Sequence, residues 1–249
     1  MGDIQYLDTA QGRRLAYHKF SGRMPAVVFL GGLRSDMTGT KAVHLEAWAR
    51  RSGREFLRFD YSGHGESSGD FNQGCIGEWH EDTVAAISAL TEEKVVVVGS
   101  SMGGWQALLL AQRMPERLAG IVTIAAAPDF TEDGYWDQWT AAERKVVMEE
   151  GEIALPSEYG DAMVITRKLI EDGRDHFVLR DPLHVDVPMR MLQGTADQDV
   201  PMEVALRLMD HVEGGDIHLE LVKDADHRFS TPECLDTITR AVDEVLINA

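Results

Sequence analysis

Apolar residues in this chain fall into short runs, separated by longer stretches where they recur every third or fourth position. Ala26-Val27-Val28-Phe29-Leu30, Val95-Val96-Val97-Val98 and Gly120-Ile121-Val122-Thr123-Ile124-Ala125 have the length and β-branched content of strands buried on both faces. Arg54 to Tyr61, Met189 to Leu192 and Ile217 to Val222 are further strands. An antiparallel pair, Asp3 to Leu7 and Arg13 to Phe20, opens the chain around a turn carrying Gly12. Helical spacing covers Thr40 to Ser52, Glu78 to Leu90, Ser101 to Met114, Met202 to Val212 and Pro232 to Leu246. Strand alternating with helix predicts an α/β fold: a mostly parallel central sheet of about eight strands, helices on both faces, and right-handed crossovers.

The alternation stops between Asp129 and Pro188, a stretch too long for an ordinary connection. Tyr135-Trp136, Trp139, Ala141 to Glu150 and Asp161 to Glu171 predict two or three helices over the carboxyl end of the sheet. The expectation is a helical lid, inserted at about 129–188 into a single domain spanning 1–249. With 44% hydrophobic residues, such a domain needs no disulfide or metal staple. No repeat or low-complexity segment interrupts it, and no apolar run approaches the ~18 residues of a membrane span.

Charge narrows the partners. Against 24 Lys and Arg stand 42 Asp and Glu, a net charge of −18, which repels nucleic acid and anionic lipid. The start, Met1-Gly2-Asp3-Ile4-Gln5-Tyr6, has neither a basic end nor an apolar core, so no secretory or import leader is expected. Cys75 and Cys234 make no metal or redox spacing. A cytoplasmic location with reduced thiols is therefore expected, and the oligomeric state is left open.

The chemistry concentrates at Gly99-Ser100-Ser101-Met102-Gly103, a G-x-S-x-G wedged between the valine strand and a helix. That context makes it a nucleophile elbow, in which Ser101 is thrust out of the sheet on a sharp turn. A Cβ at either glycine would collide with a neighbouring segment as the chain reverses. A serine hydroxyl needs a base, and the base an orienting carboxylate, following in the order Ser, acid, His beyond strand ends. Of nine histidines, His18, His44, His80, His176, His184, His211 and His218 sit within or at the ends of elements and read as structural or solvated. His64, in a tight glycine turn, is a rival base but precedes the nucleophile, so it reads as turn scaffolding. His227 follows the last strand and is the expected base. Asp197, three residues beyond Gly194, is the expected acid; Asp129, after the strand preceding the lid, and Asp199, a candidate helix cap, are alternatives. The oxyanion donors expected are the amides of Met102, next to the nucleophile, and Leu33, after Gly31-Gly32. This chemistry calls for no metal and no organic cofactor.

The residues resemble the α/β-hydrolase superfamily over essentially the whole length. More narrowly, the chain is similar to mitochondrial palmitoyl-protein thioesterases that also cleave acyl glucuronides, and to their bacterial relatives. That likeness rests on Ser35-Asp36-Met37-Thr38-Gly39-Thr40-Lys41-Ala42, on Arg58 to Ser67, on Val98 to Trp105, and on Gly77-Glu78-Trp79 with Asp82. It implies a triad of Ser101, Asp197 and His227, and ester or thioester substrates, including long-chain acyl or acyl-glucuronide compounds and acylated protein. Tyr135, Trp136, Trp139, Met148 and Met163 could line an apolar acyl channel, or only bury the lid against the sheet. Arg144, Lys145, Arg167 and Lys168 could meet a carboxylate, or form a solvated face. The alternatives are a small-ester carboxylesterase or carbon–carbon bond hydrolase on the same fold, a haloperoxidase-like side activity, and a non-catalytic hydrolase-fold binding protein. A haloalkane dehalogenase is excluded, since its nucleophile is a carboxylate.

Overall fold

The elbow strand lies near the middle of the sheet, and its position follows from how the chain alternates its valines. The computed structural model describes residues 3–155 and 162–248. In chain order, β1 (Gln5–Asp8), β2 (Arg14–Phe20), β3 (Arg23–Leu30), α1 (Thr40–Ser52), β4 (Arg54–Phe59), α2 (Ile76–Leu90), β5 (Val95–Ser100), α3 (Met102–Arg113) and β6 (Leu118–Ile124) come first. There follow α4 (Ala141–Glu150), β7 (Glu152–Leu155), β8 (Met163–Thr166), α5 (Arg167–Arg174), β9 (Leu183–His184), β10 (Met189–Gly194), α6 (Met202–His211), β11 (Val212–Glu213), β12 (Ile217–Val222) and α7 (Pro232–Asn248). The main sheet has eight strands in the order β1-β2-β4-β3-β5-β6-β10-β12. All neighbours from β4 to β12 pair in parallel, while β2 is antiparallel to both β1 and β4.

All six residues of β5 are buried. Val95 and Val97 face a core built with Trp79 of α2 and Trp105 of α3. Val96 and Val98 face a second core with Leu45 of α1, Phe229 and Val245 of α7. Two-sided burial explains the unbroken apolar run, each valine contributing roughly 1.5–3 kcal/mol when fully buried. From β3 the chain passes to β4 on one side, then returns on the other side as β5. Loops after β3 and β5 therefore part at the carboxyl edge, the place where open α/β sheets hold ligands.

The segment between β6 and β10 differs from the helices expected. A π-helical turn over Thr131–Tyr135 and a 3₁₀ turn over Trp136–Gln138 precede α4. The Thr140 hydroxyl caps α4, reciprocated by Glu143. The helix expected from Asp161 begins instead at Arg167, because Met163-Val164-Ile165-Thr166 pairs antiparallel with Glu152–Leu155. β-branched residues prefer that pairing to a helical turn. Residues 156–161, part of the expected lid, lie outside the described residues. Among those described, no helix is long and apolar enough to cross a membrane.

Candidate active site

Ser101 joins β5 to α3 with φ 55° and ψ −118°, a conformation that costs a non-glycine residue about 1–3 kcal/mol. Neighbouring strands hold it there. Its N–H donates to the Ile124 carbonyl at 2.9 Å, and its carbonyl accepts from Gly104 at 2.9 Å and Ala127 at 3.1 Å. The turn closes so tightly that a Cβ on Gly99 would stand 2.7 Å from the Gly104 nitrogen, and one on Gly103 2.6 Å from the Gly31 oxygen. Both glycines of the motif are thus sterically required.

His227 Nε2 lies 3.2 Å from Ser101 Oγ, and His227 Nδ1 lies 2.9 Å from Asp197 Oδ2. A carboxylate only accepts, so Nδ1 carries the proton and Nε2 is left to accept from the serine hydroxyl. The Asp197 side chain is fully buried. Its Oδ1 accepts from the amides of Asp199 at 3.0 Å and Val200 at 2.8 Å. Its Oδ2 also accepts from Gln193 Nε2 at 3.1 Å. Gln193 was not singled out from sequence, although a polar side chain one residue before the end of a strand buried at all six positions was the available clue.

The other candidates are occupied elsewhere. Asp129 takes the amides of Val178 at 2.9 Å and Leu179 at 3.0 Å, with Arg180 Nη1 at 3.1 Å. Asp199 supplies its backbone to Asp197. His64 bonds to Arg34 and Ser62, not to Ser101. The loop carrying Leu33 adjoins Ser101: a Cβ on Gly32 would stand 3.3 Å from Ser101 Cβ. Met102 opens α3, where the first amides have no intrahelical acceptor. Asp197, Asp199 and His227 offer ligand atoms within 4.8 Å of one another. The facing atoms of Asp197 and His227 already bond to each other, and Asp197 is further taken by backbone amides, so this group fits a proton relay better than an ion.

An aromatic ladder leads from α3 outward. Trp105 meets Phe130 at 5.4 Å, Phe130 meets Tyr135 at 5.6 Å, and Tyr135 stacks on Trp139 at 5.9 Å. Burial raises the Tyr135 pKa, and the charge of Asp199 adds to it. Trp136 lies beside Trp139, with the guanidinium groups of Arg144 and Arg174 over its ring at 5.3 and 4.6 Å. Met148 and Met163 are partly buried against the same core. Arg144 donates to the Trp136 carbonyl, Arg167 to that of Met148, and Lys168 pairs with Glu78. Lys145 faces Glu149 on an exposed helix surface.

A family model described as the alpha/beta hydrolase fold matches residues 25–185. The chain is 31% identical over 245 residues to the Mus musculus protein named "Palmitoyl-protein thioesterase ABHD10, mitochondrial", covering 98% of this chain and 82% of that one. The Homo sapiens protein of that name is also 31% identical, with 98% and 80% covered. Among solved structures, a hydrolase described as putative from Agrobacterium vitis superposes with a TM-score of 0.93 at 38% identity, covering 98% of each chain. Mouse alpha/beta hydrolase domain-containing protein 10 superposes with a TM-score of 0.91 at 30% identity, again covering 98% of each. The expected cytoplasmic location is corrected by these relatives, which are named as mitochondrial. That expectation rested on the cysteine spacing and on the lack of a leader-like start, and neither physically reports a compartment. Both cysteines are free and buried, which constrains their pairing but not where the protein resides. The chain belongs to the α/β-hydrolase family and is a serine hydrolase acting on carboxylic esters or thioesters.

Proposed function

We propose that Ser101, His227 and Asp197 are the triad of this hydrolase, and that its substrates carry an apolar acyl chain, with palmitoyl-type thioesters and acyl glucuronides within its range. The observation that carries the triad is the continuous relay from Ser101 Oγ through His227 to Asp197, at 3.2 and 2.9 Å. His227 Nε2 takes the hydroxyl proton as Ser101 Oγ bonds to the substrate carbonyl carbon. The carbonyl oxygen becomes an oxyanion held by the Leu33 and Met102 amides. On collapse the bond to the leaving oxygen or sulfur breaks, and His227 returns the proton to that atom. Water, deprotonated by His227, then attacks the acyl-serine, releasing the carboxylic acid and restoring Ser101 Oγ–H. Asp197 keeps the imidazole in its productive tautomer and stabilises the imidazolium. No step needs a cofactor.

Support for an apolar acyl chain comes from the Phe130, Tyr135 and Trp139 ladder and from Trp136 and Met163. Aromatic and thioether surfaces adapt to flexible chains. In this reading the described residues of 129–155 and 162–188 form a lid over the sheet edge, inserted into a single domain, and the thioesterase relatives favour the same substrate class. Ser101→Ala should abolish turnover and labelling by a fluorophosphonate probe; retained activity would overturn the triad. A p-nitrophenyl ester series from acetyl to palmitoyl tests the acyl site. A steep fall beyond butyryl would favour a small-ester esterase instead.

A further inference from the structure

The segment Arg58 to Gly65 grips the loop after β3 at three points. The Arg58 guanidinium donates to the Met37 carbonyl, and Asp60 Oδ1 accepts the Met37 amide at 2.6 Å. His64 Nε2 accepts the Arg34 amide at 3.2 Å. Arg34 immediately follows Leu33 and holds φ 58°, a left-handed conformation that a residue with a long side chain keeps only when its surroundings impose it.

The geometry fixes the protonation of His64. Its Nδ1 lies 3.1 Å from the Ser62 carbonyl, which can only accept, so Nδ1 bears the proton and Nε2 is a free acceptor. The ring is 3% exposed. It is boxed edge-on by Tyr61, Phe71 and Trp79 at 5.6, 5.1 and 5.2 Å. The indole of Trp79 also donates to the Ser62 carbonyl at 3.1 Å, and Asp82 anchors Ser62 through both its amide and hydroxyl. An imidazole so confined makes a rigid acceptor for one particular backbone amide.

We propose that His64 is a positioning residue for acyl transfer: its neutral ring holds the Arg34 N–H, which fixes the backbone immediately after Leu33 and, through that residue, keeps the Leu33 N–H on the preceding peptide aimed at the developing oxyanion. The inference rests on the Ser101 reading above and adds to it a residue that touches neither substrate nor nucleophile. It also accounts for the spacing of Arg58, Asp60 and His64, whose three side chains reach one loop while Gly63 and Gly65, on either side of His64, turn the chain.

His64→Phe keeps an aromatic ring and removes the acceptor. Expected is a folded enzyme whose kcat on p-nitrophenyl butyrate falls about 10- to 100-fold, the range for a group displaced by a fraction of an ångström to one ångström, with KM changed less than about threefold. Affinity for phenylboronic acid, which binds Ser101 as a tetrahedral adduct, should fall by a similar factor. His64→Gln, with an oxygen able to accept from Arg34, should recover part of both. Folded His64→Phe with wild-type kcat and boronate affinity would overturn the proposal, as would a kcat loss that leaves boronate affinity intact. If His64→Phe does not fold, ¹⁵N NMR of the wild-type protein decides. A neutral Nδ1–H ring coupled to the Arg34 amide is expected, and an Nε2–H ring would overturn it. A wild-type enzyme that binds no boronate would sink the Ser101 reading and His64 with it, whereas wild-type binding with an indifferent His64→Phe removes only the positioning role.

Discussion

His227 and Ser101 stand 126 positions apart in the chain, yet His227 Nε2 lies 3.2 Å from Ser101 Oγ. The contact exists because both residues sit on loops at the carboxyl edge of one sheet, one after β5 and the other after β12. The carboxylate behind the histidine selects the tautomer, so its charge matters more than its bulk. Asp197→Asn should leave the fold intact, because its remaining oxygen can still accept backbone amides. With an amide facing Nδ1, the proton is driven to Nε2, and on the proposed triad kcat should drop roughly 10⁴-fold, as when the acid of a Ser-His-Asp triad is neutralised. Steady-state kinetics with near-ultraviolet circular dichroism checks this, and a loss under tenfold would contradict it.

Two glycines beside Ser101 should respond differently to the same substitution. A Cβ on Gly103 meets main-chain atoms, with the Gly31 oxygen at 2.6 Å. Gly103→Ala should therefore cost stability on the order of 1–3 kcal/mol or more, since backbone must move. A Cβ on Gly32 meets Ser101 Cβ at 3.3 Å and the Ser100 oxygen at 3.4 Å, contacts relieved by shifts of a few tenths of an ångström. Gly32→Ala should leave the urea midpoint nearly unchanged and lower kcat about tenfold by displacing hydroxyl and oxyanion donor relative to each other. Equal effects of both variants on stability would contradict this distinction.

The strands were legible in the sequence because two-sided burial leaves no room for polar residues, as in Val95 to Val98. The elbow was legible because its steric demand for glycine is local. Beyond that, spacing left Asp197, Asp129 and Asp199 open together. The difference lies in what reaches each carboxylate, the amides of Val178 and Leu179 for Asp129 and the imidazole of His227 for Asp197, and these are meetings of distant segments. Met163–Thr166, which pairs antiparallel with Glu152–Leu155, falls in the expected helix from Asp161 for a similar reason. Four residues carry too little periodicity to declare a strand until the partner is seen. His64 was recognised as part of a turn, but the amide it accepts lies 30 residues earlier.

His80 makes a prediction about acid stability. It is 3% exposed, Nδ1 lies 3.2 Å from Gln106 Oε1, and Nε2 is buried without a partner. Desolvation, helped by the charge of Arg113, pushes its pKa down to about 4 from 6.5. Between those values the unfolded chain binds a proton that the folded chain refuses. The contribution is thus present above about pH 6.5 and lost as pH falls through about 4, to a total of about 3 kcal/mol. Asp60 works in the opposite sense: burial raises it to about 6, favouring folding at low pH and fading as pH rises through 6. The wild-type curve alone therefore hides both. The stability difference between wild type and His80→Gln should grow by about 2–3 kcal/mol from pH 4.5 to 6.5 in urea titrations. A difference independent of pH would rule out a buried, neutral His80.

Lys41 sits in the first turn of α1, the positive end of the helix dipole, with no acidic residue in that turn. A cation there is unfavourable by a few tenths of a kcal/mol or more. Its ammonium donates to the carbonyl of Arg228, next to His227. Desolvation lowers its pKa to about 8 from 10.5, partly offset by the nearby charge of Asp226. The fold therefore tolerates the charge at a cost that is fully present at neutral pH, where both states are protonated. Lys41→Met keeps the packed stem and removes that cost, so it should stabilise the protein at pH 7 by on the order of 1 kcal/mol, discounted because the side chain is not wholly buried. The advantage should vanish by about pH 10, since the wild-type lysine sheds its proton in the folded state first and gains stability as pH rises from about 8. Activity should move the other way, with kcat several-fold lower, because the His227 loop loses the donor that ties it to α1. Urea titrations at pH 7 and pH 10, paired with ester kinetics, test both halves. A Lys41→Met variant less stable than wild type at pH 7 would show that the ammonium stabilises the fold outright and that no such exchange of stability for loop order exists.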